Sequence, residues 1–388
     1  MQPIGLIADG YTDCSAPINR ALALLPPAGG EILLPAGEIL LRQPLRVERG
    51  QVMLRGIGRE ITRLMIASDD GHGLIIGSPH NQVSRVQVCD LSINTRRTLE
   101  HGAGVRIYSS YDVHIRNCLL ANLNCGIEIA DSSFVYVTDC EICDPRAMGG
   151  VGILVHGEGV HNDQYFSRVF VQCRKQSAPC EVGLRIANSQ GFWVEQCGIF
   201  HCGVGLHLTA TTGRTLEHGF LSDNAIDTCA HHGLLINAGP GATVRRVQST
   251  GDWCASNEGH GVLLDASQGA VDDIKLLGTR LYGNGGSGLA IAKAASVMAD
   301  NCSIAGNGRD GVSSGIDVHG ACEVLAVRNG NIGCAAGFGN SQAYAIAGIE
   351  HTGRSIITGN VFGLNREGTL STMPRTALVA NNLEPVAE

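Results

Sequence analysis

A four-residue module, glycine then apolar, any residue, apolar, recurs along the chain and constrains its fold more than any other feature. It occurs as Gly73-Leu-Ile-Ile, Gly104-Val-Arg-Ile, Gly126-Ile-Glu-Ile, Gly152-Ile-Leu-Val and Gly183-Leu-Arg-Ile, and continues to Gly315-Ile-Asp-Val, with a weaker last copy at Gly348-Ile-Glu. Spacings run from 22 to 33 residues and average about 27. A period this variable excludes a rigid repeat and suits solenoid coils whose loops differ in length. About ten residues after the glycine comes an alternating run, such as Val113-His-Ile-Arg-Asn-Cys, Val135-Tyr-Val-Thr-Asp-Cys and Phe192-Trp-Val-Glu-Gln-Cys. Alternation at period two is strand period. Turn pairs such as Asn284-Gly285 and Asn307-Gly308 punctuate the runs. Hairpins would return the half-pattern in mirror order; here it returns in the same order, so like stacks on like and the strands are parallel. The expected fold is all-β: a single right-handed parallel β-helix of about eleven coils.

Composition adds limits. Of 388 residues, 44% are apolar but only 4% aromatic, so the core must be aliphatic, with cysteine. The 15 cysteines are an odd number, which rules out a complete disulfide framework. Asn117-Cys118, Asp139-Cys140, Gln172-Cys173, Gln196-Cys197 and Asn301-Cys302 each sit midway through a repeat and read as a buried thiol column. No metal or cofactor is expected. The net charge of −8 argues against a nucleic-acid partner. No secretory signal is read at the N-terminus and no run of about 18 apolar residues suggests a membrane span. A virion-associated, released or cytoplasmic protein is the expectation.

Three regions are expected: a cap at 1–50, the β-helix at 51–365 and a C-terminal tail at 366–388. The cap holds an amphipathic helix from Cys14 to Leu25, with Asp13 or Thr12 as N-cap and Pro26-Pro27 as its stop. The tail, with Pro374 and Pro385, loses the repeat and would cover the last coil or reach another subunit. The stretches Ala8-Asp9-Gly10-Tyr11-Thr12-Asp13-Cys14, Ile18-Asn19-Arg20-Ala21-Leu22 and Pro27-Ala28-Gly29-Gly30-Glu31-Ile32-Leu33-Leu34-Pro35-Ala36-Gly37 resemble the opening of pectate-lyase-superfamily β-helices, which include phage tailspike depolymerases and related polysaccharide lyases and hydrolases. Ile39 stands where that family often has an aromatic. The resemblance implies an extended polysaccharide substrate in a lateral or inter-subunit groove, and a homotrimer. It carries no catalytic residue over.

Outward positions of the glycine-led strands supply the candidates, because inward positions are apolar. The first outward column reads Arg106, Glu128, Leu154, Arg185, His207; the second reads Tyr108, Ala130, His156, Ala187, Thr209. Glu128, Arg185, His156 and Arg106 form the expected catalytic group, with Tyr108 and His207 binding substrate and Ala130 and Ala187 as groove floor. In a lyase the arginines would neutralise a uronate carboxylate while His156, His207 or Tyr108 removed the neighbouring proton. In a hydrolase Glu128 would be acid or nucleophile and would need a second carboxylate; Asp131, Glu158 or Asp163 could supply it. The loop Gly157–Ser167 adds His161, Asp163 and Tyr165 as binding residues. A second patch comprises Asp317, His319, Glu350 and His351. A third comprises Asp223, Asp227, Asp252, Trp253 and Glu258, with Trp253 as a substrate-binding ring able to stack on sugar, although it aligns with the thiol column. Asn257, Asn284 and Asn307 read as a stacked turn ladder. The leading expectation is a depolymerase acting by β-elimination or hydrolysis; a non-catalytic carbohydrate-binding or virion structural protein and a polysaccharide epimerase are the alternatives.

Overall fold

The structure is a computed structural model describing residues 6–97, 99–159, 161–174, 178–333, 337, 339, 341–372 and 376–384. Pro374 and Pro385 of the tail lie outside them. The chain is a parallel β-solenoid of about 13 turns, against an expected eleven. The extra turns come from strands without the glycine module, such as Leu45–Val47 and Gly368–Leu370. Two units divide it, residues 1–193 and 194–388.

In the first unit each coil contributes a glycine-led strand, an alternating strand and a short third strand. Ala103–Tyr108, Tyr111–Arg116 and Leu119–Ala121 make one coil; Cys125–Ala130, Ser133–Thr138 and Glu141–Cys143 make the next. Like pairs with like and in parallel: Val105 faces Ile127, His114 faces Tyr136 and Leu120 faces Ile142. Val105, Ile107, Ile127, Ile129, Ile153 and Val155 are fully buried. Repeating the same aliphatic residue at the same inward position fills the interior without voids.

Glycine opens the strand because nothing larger fits. A Cβ on Gly126 would lie 2.6 Å from the Gly152 carbonyl oxygen and 2.8 Å from Ile142. The residue before each thiol explains the paired pattern: Asn117 and Asp139 turn the chain at φ of 50° and 56°, a left-handed conformation that Asn and Asp tolerate best. Cys118 and Cys140 then enter the interior, 0% and 2% exposed. Cys173 does not continue this column. Glu141 pairs with Phe170, so the position after Cys140 belongs to Val169, and Cys173 is buried one corner further on.

The capping helix spans Ser15–Ala23, shorter than expected. Asp13, one residue before the Cys14 cap position, accepts from the Ser15 backbone N–H at 3.0 Å; Thr12 instead folds back on Asp9. Ile18 and Leu22 are buried. Asn19 gives a hydrogen bond to the Pro44 carbonyl and takes one from the Arg46 N–H, which satisfies the edge of the strand Leu45–Val47.

In the second unit the same three strand types continue, with Val204–Ala210, Thr215–Ser222 and Ala225–Asp227 as one coil. Here the corners are polar. Asn257, Asn284 and Asn307 form the expected ladder, each side-chain amide donating to the next, and Gln342 extends it. The segment 366–388 was expected to leave the repeat, yet Gly368–Leu370 pairs with Tyr344–Ala347 and Ala377–Ala380 with Thr352–Thr358.

Residues just before the strand glycines form another ladder. His232 Nδ1 accepts from the His260 N–H at 3.1 Å, and His260 Nδ1 from the Ser287 N–H at 2.9 Å. Both rings must be neutral to accept, and burial lowers both pKa values, that of His232 to about 4.

Two predictions follow from these contacts. Gly126→Ala should destabilise the first unit by about 1–3 kcal/mol through overpacking, read as a lower denaturation midpoint. Between pH 6.5 and about 4 the unfolded chain binds a proton at His232 that the folded chain refuses, so stability falls as pH falls across that window. Allowing for partial exposure, the loss is about 2 kcal/mol. His232→Ser keeps an acceptor and should flatten that part of the profile; an unchanged profile would contradict the assignment.

Candidate functional site

The glycine-led sheet of the first unit brings four of the expected residues together. Strand register stacks Arg106 on Glu128, Glu128 on Leu154 and Leu154 on Arg185. Beside that column, Tyr108 stacks on Ala130 and Ala130 on His156. Glu128 is the hub. Its Oε1 lies 3.0 Å from His156 Nε2 and 3.3 Å from an Arg106 terminal nitrogen, and its side chain is only 15% exposed. The Arg106 guanidinium also sits over the Tyr108 ring at 5.6 Å. Burial opposes ionisation of Glu128, but the His156 hydrogen bond and the Arg106 charge outweigh it and hold the carboxyl below its usual range. The Arg106 Nε is buried without a hydrogen-bond partner, an uncommon state for a charged donor.

One residue was missed. His72 feels the charges of both Arg106 and Glu128 and accepts from the Ala103 N–H; burial and then Arg106 lower its pKa. Its signal was available, because it precedes a strand glycine as His232 does.

The other expected members separate. Arg185 pairs with Glu181 at 2.7 Å, two coils from Glu128. His207 belongs to the second unit, where its Nε2 meets Asn237 Oδ1 at 3.0 Å. Ala130 and Ala187, the expected floor, are buried. Asp131 accepts from the Gly159 N–H, and Asp163 sits at a left-handed bend with its pKa raised by burial. His161 is buried on the carbonyls of Gly159 and Ala187. Tyr165 lies not in a loop but in the strand Gln164–Ser167. There it joins an aromatic stack, His114–Tyr136–Tyr165–Trp193, with centroids 4.4 to 4.7 Å apart. The alternating runs carried that signal, each placing its ring at the same position.

The remaining patches in the second unit are structural or scattered. Asp317 is buried and accepts from the Ser287 hydroxyl and the Ser314 N–H. It pairs with Ala347, not Glu350, because Gly348 turns left-handed and starts a 3-10 turn at Ile349–His351. Asp252 is buried in a network with Asn224 and Ser249, and burial raises its pKa to about 6. Trp253 was aligned with the thiol column, but Cys254 enters the core and Trp253 faces outward, 42% exposed, edge-on to Tyr282. Burial raises the pKa of Asp227, while Glu258 meets Arg309 at the surface.

A family of right-handed β-helix regions matches residues 66–169 and 103–273, more than half of the chain. The chain belongs to the right-handed β-helix family. No curated protein matches it. Among solved structures, this β-helix resembles the A-module of the Azotobacter vinelandii mannuronan C-5 epimerase AlgE6, at 14% identity and a TM-score of 0.66, over 99% of this chain and 98% of that one. It resembles tailspike protein 3 of bacteriophage CBA120 at 14% identity and a TM-score of 0.76, over 99% of this chain but 62% of the tailspike. A Yersinia enterocolitica family 28 exopolygalacturonase aligns at 11% identity and a TM-score of 0.62, over 99% of this chain and 78% of that one. At such identities the likeness establishes the fold. Among the described residues, no helix is long and apolar enough to cross a membrane.

Replacing Arg106 with Gln removes one of the charges that keep Glu128 ionised. The Glu128 carboxyl pKa, followed by NMR titration of the side-chain carbon, should rise; no change would mean the pair exerts no field on it.

Proposed function

We propose that this β-helix acts on an extended, uronate-containing polysaccharide by removing the proton next to the sugar carboxylate. The supporting observation is the ionisation of Glu128. A glycosidase acid needs a carboxyl whose pKa is raised; the surroundings of Glu128 lower it instead. Oε1 of Glu128 is committed to both His156 and Arg106, which weakens it as a nucleophile and as an acid alike. Glu128 is therefore a positioning residue. By accepting from Nε2–H of His156, it fixes the tautomer in which Nδ1 is the proton acceptor. Arg106 offers a fixed cation to the uronate carboxylate, whose charge grows as the carbanion forms. His156 Nδ1 takes the C5 proton. The electron pair then either expels the C4 oxygen, which picks up a proton and leaves an unsaturated end, or accepts a proton on the opposite face. The first outcome is lyase chemistry and the second epimerase chemistry. Tyr108, two coils from His156 in the same column, would give the proton. The neighbouring mannuronan epimerase and exopolygalacturonase support a polysaccharide as the ligand class. A trimer, as the resemblance implies, belongs to the same proposal.

The test is incubation in deuterated buffer with polymannuronate, polygalacturonate and glucuronate-containing capsular polymers. Ultraviolet absorbance of unsaturated ends, or deuterium at C5 without shortening, supports the reading. New reducing ends with neither signal would show hydrolysis, and binding without conversion would show a non-catalytic protein; either overturns it. His156→Ala should cost about 10²- to 10⁴-fold in rate. Glu128→Gln should lower kcat and shift its pH profile while KM changes little.

A further inference from the structure

The first unit carries a second feature that the proton-transfer reading does not use. A cleft of about 500 Å³ is lined by Arg96, Arg97, Asn122, Asp144, Arg146 and Ala147, among others. These residues sit on the turns that leave the short third strands. Each turn runs on within about ten residues into a glycine-led strand: 95–97 into Ala103–Tyr108, Asn122 into Cys125–Ala130, and 144–147 into Val151–His156.

The charge in this cleft is unbalanced. Arg96 is consumed: it pairs with Glu38 and lies over the Tyr11 ring. The one lining carboxylate, Asp144, is consumed too, by the Arg174 guanidinium at 2.7 and 2.8 Å. Arg97 and Arg146 are held mainly by uncharged oxygens. Arg97 donates to the carbonyls of Ala67 and Ser68 at 3.2 and 2.9 Å, and its acidic contact, Asp69 at 3.4 Å, is fully exposed. Arg146 donates to the Glu100 carbonyl at 3.2 Å and to Asn124 Oδ1 at 3.4 Å, and meets no carboxylate among the described residues. Carbonyl partners fix the orientation of a guanidinium without neutralising it. The result is two preoriented cations in a concave site of a chain whose net charge is −8.

We propose that this cleft binds a carboxylate-bearing segment of an acidic oligosaccharide, at a subsite away from the Glu128 cluster. Three features select that ligand. The planar guanidinium fork matches a carboxylate with two parallel hydrogen bonds. The lining spans successive coils, each about 4.8 Å from the next, so the cleft suits an extended chain rather than a compact ion. No aromatic side chain is among the described lining residues, so none of them offers a platform for stacking a nucleobase. The substrate class rests on the uronate reading, but the binding site does not require turnover.

The experiment is calorimetric titration of the whole protein with a hexa-uronate, a neutral hexasaccharide of the same length and inorganic phosphate. Arg146→Gln and Arg97→Gln should each weaken hexa-uronate binding by about tenfold, the loss expected for one charge-assisted contact. Because both arginines also brace backbone carbonyls, Ala147→Glu is the second variant. It adds a negative charge at an exposed lining position and should weaken binding similarly with an unchanged melting temperature. His156→Ala should retain hexa-uronate affinity in the cleft even where it abolishes turnover. Retained cleft-dependent binding in a wild-type protein without turnover would sink the catalytic reading alone. Unaltered affinity in all three cleft variants, equal binding of the neutral sugar, or phosphate binding as tightly as the hexa-uronate would each overturn this proposal.

Discussion

Everything in this chain depends on the approach of one backbone coil to the next. Parallel strands stacked at about 4.8 Å leave no room for a side chain where the glycine-led strand begins, because the next coil's carbonyl lies there. That contact fixes register. Register in turn fixes which residues point out, since a slip of one residue would reverse every side chain. The Glu128 hub exists because Arg106 and Leu154 are its register partners and because Ala130 separates Tyr108 from His156 in the neighbouring column.

The periodic part of the fold was legible for this reason. Glycine, two inward aliphatics and a left-handed polar residue before Cys118 and Cys140 are each required by local geometry, so each leaves a mark. Reading failed where a coil breaks its own pattern. Gly348 carries the module's sequence but adopts φ of 74° and ends a strand, so the column entry Glu350 was displaced by three residues to Ala347. Trp253, expected to bind substrate, aligns in sequence with the thiol column, but the register puts Cys254 in the core and leaves Trp253 exposed; one residue separates an interior thiol from an exposed ring. The polar corners of the second unit were half legible. The Asn257 ladder showed as a spacing, while Asp252 looked like a site acid because nothing in sequence distinguishes a buried, amide-bound carboxylate from an exposed one.

The candidate site was legible as a column but not as a mechanism. Sequence placed Arg106, Glu128 and His156 on one face. Only the geometry shows that Arg106 and His156 both meet the same oxygen of Glu128, and the proposed role of the acid rests on this. A carboxylate shared between a guanidinium and an imidazole is held ionised, and in the proposed reaction this makes Glu128 the group that orients both neighbours rather than a proton donor. Arg185, in the same column, is drawn to Glu181, because an acid four residues away in its own strand region outcompetes one two coils off.

The Arg97–Arg146 cleft was invisible to column reading for a related cause. Its residues lie on corners, where loop length varies from coil to coil, so no fixed spacing aligns them. A solenoid separates two kinds of positional information. Strand faces are set by a repeated register and can be read from the chain, whereas corners are set by each coil's own insertion. Chemistry that needs several groups held rigidly fits the faces. Recognition of a long, charged polymer needs cations spread over several coils, and corners provide them at the cost of only local changes. With both in one unit and each cleft turn running on within about ten residues into a site strand, the two proposed roles, polymer binding and proton transfer, could be altered independently.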